Sequence, residues 1–170
     1  MHIRNVRPED AGEICRIYNY YIETTCISFE TEPVSEEEMK DRIQSFIEGE
    51  CLYYVVEKEG KMIGFAYMHP WKERRAYSYT KEVTIYLDHE QKGKGVGTVL
   101  YRYLLERVDT SRIHSLIAAI CIPNDASVRL HEKFGFRQVS HYKEVGYKFG
   151  EWKDVGHWQL ILGKDVSLNK

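Results

Sequence analysis

The sequence predicts an α+β fold in which an antiparallel meander of strands leads into a β-α-β unit. Apolar residues follow helical spacing from Ile14 to Ile47 and strand-like spacing over residues 52–57 and 62–68. The polar stretch Lys58–Lys61 then separates two strand-like segments, as a hairpin turn would. Further on, a helix-like segment precedes the apolar run Leu116–Ile122, which fits a buried parallel strand. The length of 170 residues suits a single domain covering residues 1–170.

A short strand and two helices are predicted at the N-terminal end. Ile3 and Val6 indicate a strand that Pro8 ends, and the acidic residues after this proline favour the start of a helix. Apolar residues then recur at steps of three and four, at Ile14, Ile17, Tyr18, Tyr21 and Ile22. A second helix is predicted over Ser35–Ile47, with Gly49 just beyond its end. The irregular segment TTCISFETEP lies between the helices, where loops often carry ligand contacts.

The remaining elements follow from changes in hydrophobic period. Strands are predicted over residues 52–57, 62–68, 77–87 and 116–122. A helix is predicted over residues 96–108. Another begins at Asn124 or Asp125 and runs through Phe134, with Gly135 as its left-handed end. Two late strands are predicted over residues 136–142 and 158–162, and the region Gly146–Gly156 connects them.

Composition and charge argue against several classes of protein. The 24 basic and 26 acidic residues give a net charge of −2, and no basic block is dense enough to follow a nucleic-acid backbone. The four cysteines form no CxxC pair, and the seven histidines show no metal-ligand spacing. No stretch reaches the roughly 18 apolar residues of a membrane span, and the N-terminus has no apolar leader. We therefore expect a cytoplasmic protein without nucleic-acid, membrane or metal partners.

The most specific local feature is Gln91–Thr98, with the sequence QKGKGVGT, between a predicted strand and a predicted helix. Its three glycines let the backbone approach a ligand closely and turn successive N–H groups toward it. At a helix N-terminus such a loop suits a phosphate group, and Lys92 and Lys94 add positive charge. The spacing fits neither a Walker A loop nor a dinucleotide-binding GxGxxG motif. A flexible turn without a ligand is the plainer alternative.

This loop and four further blocks resemble the GNAT superfamily of acetyltransferases. KGKGVG followed by an amphipathic helix is similar to the acetyl-CoA pyrophosphate loop of that superfamily, with Lys92 where Gln or Arg is usual. The blocks resemble one branch, the phosphinothricin and methionine sulfoximine N-acetyltransferases; in chain order they are YIETTCISFETEP, HPWKERRAY, PNDASVRLHEKFGF and GYKFGEWKDVGHWQL. The resemblance covers most of the chain. It implies a GNAT fold and acetyl transfer from acetyl-CoA to the amino group of a small amino acid or analogue.

The resemblance also implies which residues contact the coenzyme. The backbone of the strand before the loop would pair with the pantetheine arm, at Ile85, Tyr86 and Leu87. The pyrophosphate contacts match Lys92, Gly93, Lys94, Gly95, Val96, Gly97 and Thr98. Asn124 matches an asparagine that hydrogen-bonds the arm in this branch, and it also suits a helix cap. Both roles are compatible, because the side-chain carbonyl can serve the helix while the amide serves a ligand.

Acetyl transfer requires a base that takes a proton from the acceptor ammonium and a donor for the departing thiolate. By resemblance, Glu82 is the general base. In a regular strand Glu82 would face away from Val83 and Ile85, toward a cavity, although a surface glutamate paired with a nearby lysine is the alternative. His131 stands where many GNAT enzymes carry a tyrosine. It is a candidate proton donor, and a structural histidine of an amphipathic helix is the alternative.

The resemblance places a carboxylate-binding loop in the middle of the chain. Its matching cations are Lys72, Arg74 and Arg75. A guanidinium can hold a carboxylate by two hydrogen bonds, but clustered cations also suit a solvated turn. Phe29 and Trp71 are candidate pocket walls or core residues. Glu30 stands where the herbicide-detoxifying members have Arg, which would disfavour a phosphinate if Glu30 faces the pocket; methionine sulfoximine or methionine sulfone is at least as good a candidate.

Two other functions stay open on the sequence. The chain could be a GNAT enzyme for another amine, such as a polyamine, an aminoglycoside or a protein N-terminus. A polycationic acceptor needs an acidic pocket, which the cations around Arg74 disfavour. The chain could also be a non-catalytic acyl-CoA-binding module, which an assay for released CoA would distinguish. The resemblance further implies a homodimer that pairs through the late strands.

Overall fold

The computed structural model describes residues 1–91 and 93–163. Within these residues the α-helices are α1 (Ala11–Thr24), α2 (Glu36–Glu48), α3 (Val96–Leu105) and α4 (Asp125–Lys133). The strands are β1 (His2–Asn5), β2 (Tyr53–Lys58), β3 (Lys61–Pro70), β4 (Thr80–Leu87), β5 (Ser115–Ile122), β6 (Arg137–Lys148) and β7 (Glu151–Ile161). Short 3₁₀ turns cover Pro8–Asp10, Arg75–Tyr77 and His89–Gln91.

The strands form a mixed sheet with the order β1-β2-β3-β4-β5-β7-β6. β2 pairs antiparallel with both β1 and β3, and β7 pairs antiparallel with both β5 and β6. β4 and β5 are parallel, with Thr80 opposite Ser115 and Glu82 opposite Ile117. Parallel neighbours need a crossover connection, and α3 lies between these two strands in the sequence. The predicted α+β class, with a meander followed by a β-α-β unit, is confirmed.

The contacts that residues make in space group the chain into two compact units. The first unit contains residues 1–25, 30–69 and 84–108. The second contains residues 26–29, 70–83 and the described chain from residue 109 onward. β4 therefore contributes its first half, Thr80–Val83, to the second unit and its second half, Thr84–Leu87, to the first.

The first unit is built around buried aliphatic and aromatic side chains. α1 packs against α2, and α3 packs against β2. The apolar stripe predicted for α1 is buried at Ile14 and Ile17, and Phe65 of β3 is buried with them in the core of this unit. Each such side chain contributes about 1.5–3 kcal/mol by leaving water. Ser35 caps α2 as predicted, because its Oγ accepts a hydrogen bond from the N–H of Glu38 at 3.1 Å.

In the second unit α4 packs against β5 and β7. Phe136 and Trp158 are buried there. The indole Nε1 of Trp158 donates to Oε1 of Glu132 at 3.2 Å, which ties β7 to α4. Gly135 ends α4 in the left-handed region at φ +88, as the sequence predicts.

The limits of β4 and α3 differ from the sequence predictions. β4 begins at Thr80 instead of Tyr77, because the N–H of Tyr77 donates to the carbonyl of Arg74 at 2.9 Å and closes a 3₁₀ turn. α3 ends at Leu105 instead of Val108, because the last N–H, that of Val108, bonds to the carbonyl only three residues back at 3.2 Å. In both places a tighter turn replaces the regular ladder that the apolar spacing predicted.

The late strands are longer than predicted. The region Gly146–Gly156, predicted as a connection, is mostly strand, since β6 runs to Lys148 and β7 starts at Glu151. The turn itself is only Phe149 and Gly150, both in the left-handed region at φ 54 and φ 75. Two left-handed residues are what a two-residue hairpin turn requires. A phenylalanine in that position gives no turn signal in the sequence.

Candidate active site

The glycine-rich loop leads into α3 in the first unit. Gly93 at φ +76 and Gly95 at φ +79 adopt the left-handed region, which residues with a Cβ rarely enter. A Cβ built on either glycine would have no atom within 4 Å. The backbone therefore borders open space at both positions. Lys92, which the sequence assigned to the same site, lies outside the described residues.

The loop presents the first N–H groups of α3. Gly95 is the N-cap, and the N–H of Val99 makes the first helical bond, to the carbonyl of Gly95 at 3.2 Å. Before Val99, the helix offers no carbonyl that the backbone N–H groups of its first turn could bond to. These N–H groups belong to Val96, Gly97 and Thr98. The helix dipole adds partial positive charge there, and Lys94 is exposed beside it. This arrangement suits an anion of the phosphate type.

The segment Ile85–Leu87, predicted to hold the pantetheine arm, is held in place by two tyrosines of α1. The buried ring of Tyr86 lies 5.0 Å from the ring of Tyr18. The hydroxyl of Tyr21 donates to the carbonyl of Leu87 at 2.6 Å. Burial raises the pKa of Tyr21 to about 12, so this hydroxyl keeps its proton at neutral pH. The end of β4 is thus held in place directly before the glycine loop.

Sequence reasoning missed Asp88, a buried carboxylate between β4 and the loop. Its Oδ2 accepts a hydrogen bond from Nη1 of Arg16 at 2.6 Å, and its Oδ1 accepts one from the N–H of Glu90 at 3.1 Å. Burial acts to raise the pKa of Asp88, but these hydrogen bonds and the charge of Arg16 outweigh it and hold the pKa below its ordinary value. The bond to Glu90 follows a local Asx-turn pattern. The partner on α1 is distant in sequence, so no local pattern indicates it.

Glu82, the predicted base, lies in the part of β4 that belongs to the second unit. Glu82 is partly buried and lies opposite Ile117 of β5. The neighbouring Val83 is buried, as the prediction requires. The next buried residue of β4 is Tyr86, three positions further, so strict alternation does not continue along the strand. Ile85, which regular alternation would place on the same buried face as Val83, is only partly buried.

The predicted carboxylate-binding cations share one exposed connection in the second unit. They are Lys72, Arg74 and Arg75. The N–H of Trp71 donates to the carbonyl of Thr80 at 3.3 Å, which closes this connection at its base. The ring of Trp71 lies 5.3 Å from the ring of Tyr77, and Nζ of Lys72 lies 5.2 Å from the centre of the indole ring. Trp71 therefore organises the loop that carries the cations.

Phe29, a predicted pocket wall, is placed by β6 within the second unit. A Cβ on Gly146 would come within 2.5 Å of Cε2 of Phe29, so the ring lies directly on the glycine backbone. Lys148 is only 4% exposed, and its Nζ donates to the carbonyl of Ser28 at 2.7 Å. Sequence reasoning missed Lys148, because a lysine in a late strand is normally interpreted as a solvent-facing residue.

α4 carries the two remaining candidates. Asn124 is its N-cap, and Oδ1 accepts a hydrogen bond from the N–H of Ser127 at 3.2 Å, so a ligand would meet the amide group of this side chain. Nδ1 of the buried His131 lies 2.8 Å from the carbonyl oxygen of Ser127. Since a carbonyl only accepts, Nδ1 carries the proton. Burial lowers the pKa of His131, while the bond to Ser127 acts to raise it; the net effect favours the neutral imidazole at neutral pH.

The predicted site residues fall into two groups. The first unit brings together Ile85–Leu87 and the loop from Gly93 to Thr98. The second unit holds Glu82, Phe29, Lys72, Arg74, Arg75, Asn124 and His131. Over residues 1–91 and 93–163, no group of three or more His, Cys, Asp or Glu side chains is arranged to hold a metal ion. In the same part of the chain no helix has the length and apolar character needed to cross a membrane.

Comparison with known proteins gives a consistent family. The acetyltransferase (GNAT) domain matches residues 3–157. A phosphinothricin N-acetyltransferase of Streptomyces viridochromogenes is 40% identical over 159 residues, which cover 94% of this chain and 86% of that protein. An L-methionine sulfoximine/L-methionine sulfone acetyltransferase of Pseudomonas aeruginosa is 30% identical over 164 residues, 94% of each chain. The crystal structure of a phosphinothricin acetyltransferase from Sinorhizobium meliloti in complex with AcCoA has a TM-score of 0.90 and 31% identity, covering 95% of this chain and 88% of that one.

Proposed function

Because this chain belongs to the GNAT acetyltransferase family and is an acetyl-CoA-dependent N-acetyltransferase, we propose that its acceptor is the α-amino group of a small amino acid or analogue. Methionine sulfone, methionine sulfoximine and phosphinothricin-like compounds are the acceptor candidates that its relatives support. The relatives support the acceptor class, and the observation that carries the binding of acetyl-CoA is the open, left-handed backbone at Gly93 and Gly95, directly before α3. Such a backbone suits the diphosphate of a coenzyme better than a turn that merely connects two elements.

The coenzyme contacts of this proposal are mostly main-chain groups. The loop N–H groups from Gly93 to Thr98 hold the diphosphate, and Lys92 and Lys94 add charge. The backbone of Ile85, Tyr86 and Leu87 holds the pantetheine arm, and the amide of Asn124 donates to the same arm. Acetyl-CoA, when bound, supplies an acetyl thioester. Support comes from the fixed end of β4, where Tyr21 holds the carbonyl of Leu87.

Glu82 acts as the general base in this proposal. It takes a proton from the acceptor ammonium, so the neutral amine can attack the thioester carbonyl. A C–N bond forms, the C–S bond breaks, and the thiolate of CoA takes up the second proton, which the attacking nitrogen loses as it becomes the amide. The carboxylate of the acceptor is held by Lys72, Arg74 and Arg75, and Phe29 forms a wall beside it. His131 is neutral in this proposal, because its site disfavours an imidazolium, and its Nδ1 donates to the carbonyl of Ser127. It therefore serves as a polar contact and not as the proton donor.

A thiol-release assay with Glu82→Gln tests the assignment of the base. We expect turnover of an accepted amino acid to fall by about 10²-fold or more, with the affinity for acetyl-CoA nearly unchanged. Glu106→Gln, on an exposed residue at the end of α3, is the matched control and should keep wild-type turnover. Unchanged turnover in Glu82→Gln would exclude this residue as the base.

A panel of acceptors separates the alternatives. Amino acids and their sulfone, sulfoximine and phosphinate analogues should cause release of CoA by the wild-type enzyme. Polyamines and aminoglycosides should not, because the exposed residues Lys72, Arg74 and Arg75 would repel them. Turnover of polyamines alone would contradict the proposed acceptor class. Binding of acetyl-CoA without CoA release from any acceptor would instead indicate an acyl-CoA-binding module.

We further propose a cytoplasmic homodimer built from one domain per chain. The domain covers residues 1–170, which is supported by one family match that reaches from residue 3 to residue 157. The dimer is supported by exposed apolar side chains on the β6–β7 hairpin, here called the hairpin patch: Tyr142, Val145, Tyr147, Phe149 and Trp152. The cytoplasmic location is supported by the four cysteines, which are thiols in the structure.

A further inference from the structure

A small cleft lies in the first unit between α1, α2 and the strands β2 and β3. Its volume is about 40 Å³. The rings that line it belong to Tyr18, Phe46, Tyr53, Phe65 and Tyr67. Because one water molecule requires roughly 10–15 Å³, the cleft has room for about three heavy atoms. It is therefore large enough for the end of a small side chain and too small for a coenzyme.

The cleft adjoins the strand that holds the pantetheine arm in the proposed function. The ring of Tyr18, which lines the cleft, lies 5.0 Å from the ring of Tyr86. The ring of Phe65, which also lines the cleft, lies 5.4 Å from the ring of the same tyrosine. Tyr86, in the middle of the segment Ile85–Leu87, thus packs against two of the rings that line the cleft. A group seated in the cleft would be close to the strand along which the acyl group is delivered.

Among the described residues that line the cleft, only Arg42 is charged. Its Nη1 and Nη2 donate to the two carboxylate oxygens of Glu30 at 3.2 Å and 2.5 Å. Nη2 also donates to Oε1 of Glu38 at 2.5 Å. Two carboxylates therefore surround one guanidinium, and this group of three side chains carries a net charge of −1. The hydrogen bonding that Arg42 donates to Glu30 is the main cause of the raised pKa of Arg42.

We propose that this cleft receives the end of the acceptor side chain, and that Glu30 determines its specificity by occupying the donors of Arg42. A neutral, polarisable group such as a methyl sulfone or a thioether can pack against the aromatic rings. An anionic end would meet a guanidinium whose charge two carboxylates already outweigh, and would lose its water while facing a group of net negative charge. The enzyme consequently prefers neutral acceptor side chains to anionic ones. This inference rests on the proposed function, because it assumes an amino acid acceptor.

Glu30→Ala tests the proposal by releasing Arg42 for a substrate anion. The measurement is kcat/KM for neutral methionine sulfone and for two anionic acceptors, phosphinothricin and glutamate. We expect the ratio of anionic to neutral kcat/KM to rise about tenfold. Glu38→Ala is the matched control, since Glu38 binds only one of the two nitrogens and its side chain is 54% exposed; its ratio should change much less. Adding Arg42→Gln to Glu30→Ala should abolish the gain.

Each outcome has a defined meaning. Turnover by the wild-type enzyme with an unchanged ratio in Glu30→Ala overturns this inference and leaves the proposed function intact. A gain that persists after Arg42→Gln also overturns it, because the gain would then arise elsewhere. If the wild-type enzyme acetylates none of the amino acids, the proposed function fails, and this inference fails with it.

A second variant tests occupancy of the cleft without altering the ion pair. Phe46 lies 4.9 Å from the ring of Tyr67 and 5.5 Å from the ring of Tyr53, so Phe46→Leu removes one aromatic wall. We expect the KM for methionine sulfone to rise several-fold and the KM for acetyl-CoA to stay constant. A variant that only loses stability would change neither constant while it remains folded. Equal changes in both constants, or no change in the KM for the acceptor, would contradict occupancy of the cleft.

Discussion

Gly95 and Gly60 form a matched pair for testing the coenzyme loop at the scale of single residues. Both are left-handed, at φ +79 and φ +78, and a Cβ on either meets nothing within 4 Å. Alanine at either position should therefore cost the same backbone strain, about 1–2 kcal/mol. Only Gly95→Ala should raise the Kd for acetyl-CoA, because its methyl group would occupy space that the diphosphate needs. Calorimetric titration with acetyl-CoA checks this, and equal affinities in the two variants would contradict the loop assignment.

Asp88 provides a residue-scale prediction with a defined pH dependence. Its pKa is lower in the folded protein than in the unfolded chain, so the carboxylate stabilises the fold above its ordinary pKa of about 4. This stabilisation is lost as the pH falls through the lowered pKa of the folded state. Asp88→Asn should lower the free energy of unfolding by about 1–3 kcal/mol at pH 7, and by much less at acid pH where the wild type has lost the same contribution.

Urea unfolding at several pH values measures this effect, with Asp41→Asn on the exposed face of α2 as the control. The control should leave unfolding almost unchanged at every pH. A constant difference between Asp88→Asn and wild type from pH 7 down to pH 3 would contradict a role for the ionised carboxylate.

The sequence predicts the main-chain part of the candidate site better than its supporting side chains. The glycine loop is a local pattern, and the left-handed conformations of Gly93 and Gly95 follow from residue type. Asp88 and Lys148 depend on partners 72 and 120 positions away in the chain. Such contacts form only when the fold is assembled, so no spacing rule indicates them. For the same reason, alternation along the sequence does not predict which side chains of β4 are buried.

At the scale of elements, prediction succeeds where an element is marked at both ends. α4 has its cap at Asn124 and its left-handed end at Gly135, and both signals are local. The β6–β7 hairpin lacks such marks, because Phe149 occupies a left-handed turn position and the register shifts between Tyr142 and Gly146. Pairing with the neighbouring strand, which the sequence does not display, extends β6 and β7 beyond the predicted limits.

The contact of β6 with the segment Cys26–Phe29 leads to a prediction at this scale. Lys148→Met keeps an apolar stem but removes the bond from Nζ to the carbonyl of Ser28. We expect the KM for the amino acid acceptor to rise about tenfold, because misplacement of a wall residue lowers productive binding, while the KM for acetyl-CoA stays constant. Lys143→Met, on an exposed residue of the same strand, is the control. Parallel increases in both KM values would indicate general destabilisation instead of a positioning role.

For the whole molecule, the hairpin patch predicts the state of assembly. Trp152 is 61% exposed and Tyr147 is 59% exposed, and their rings lie 4.9 Å apart, so these two rings form one exposed aromatic pair within the patch. Exposed apolar patches of this kind typically mark protein interfaces. Light scattering should give twice the 20.1 kDa mass of one chain for the wild type, and Trp152→Glu should shift the mass toward one chain, because a buried carboxylate without a partner is costly.

Ile47→Glu is a suitable control for this experiment, since Ile47 is a 42% exposed apolar residue of α2 outside the hairpin patch. It should leave the mass of the assembly unchanged. The two variants together separate a specific interface from a general effect of added negative charge. A wild-type mass of one chain at all concentrations would contradict the homodimer. A dimer that survives Trp152→Glu would place the interface away from this patch, and the late strands would then lose their proposed role in assembly.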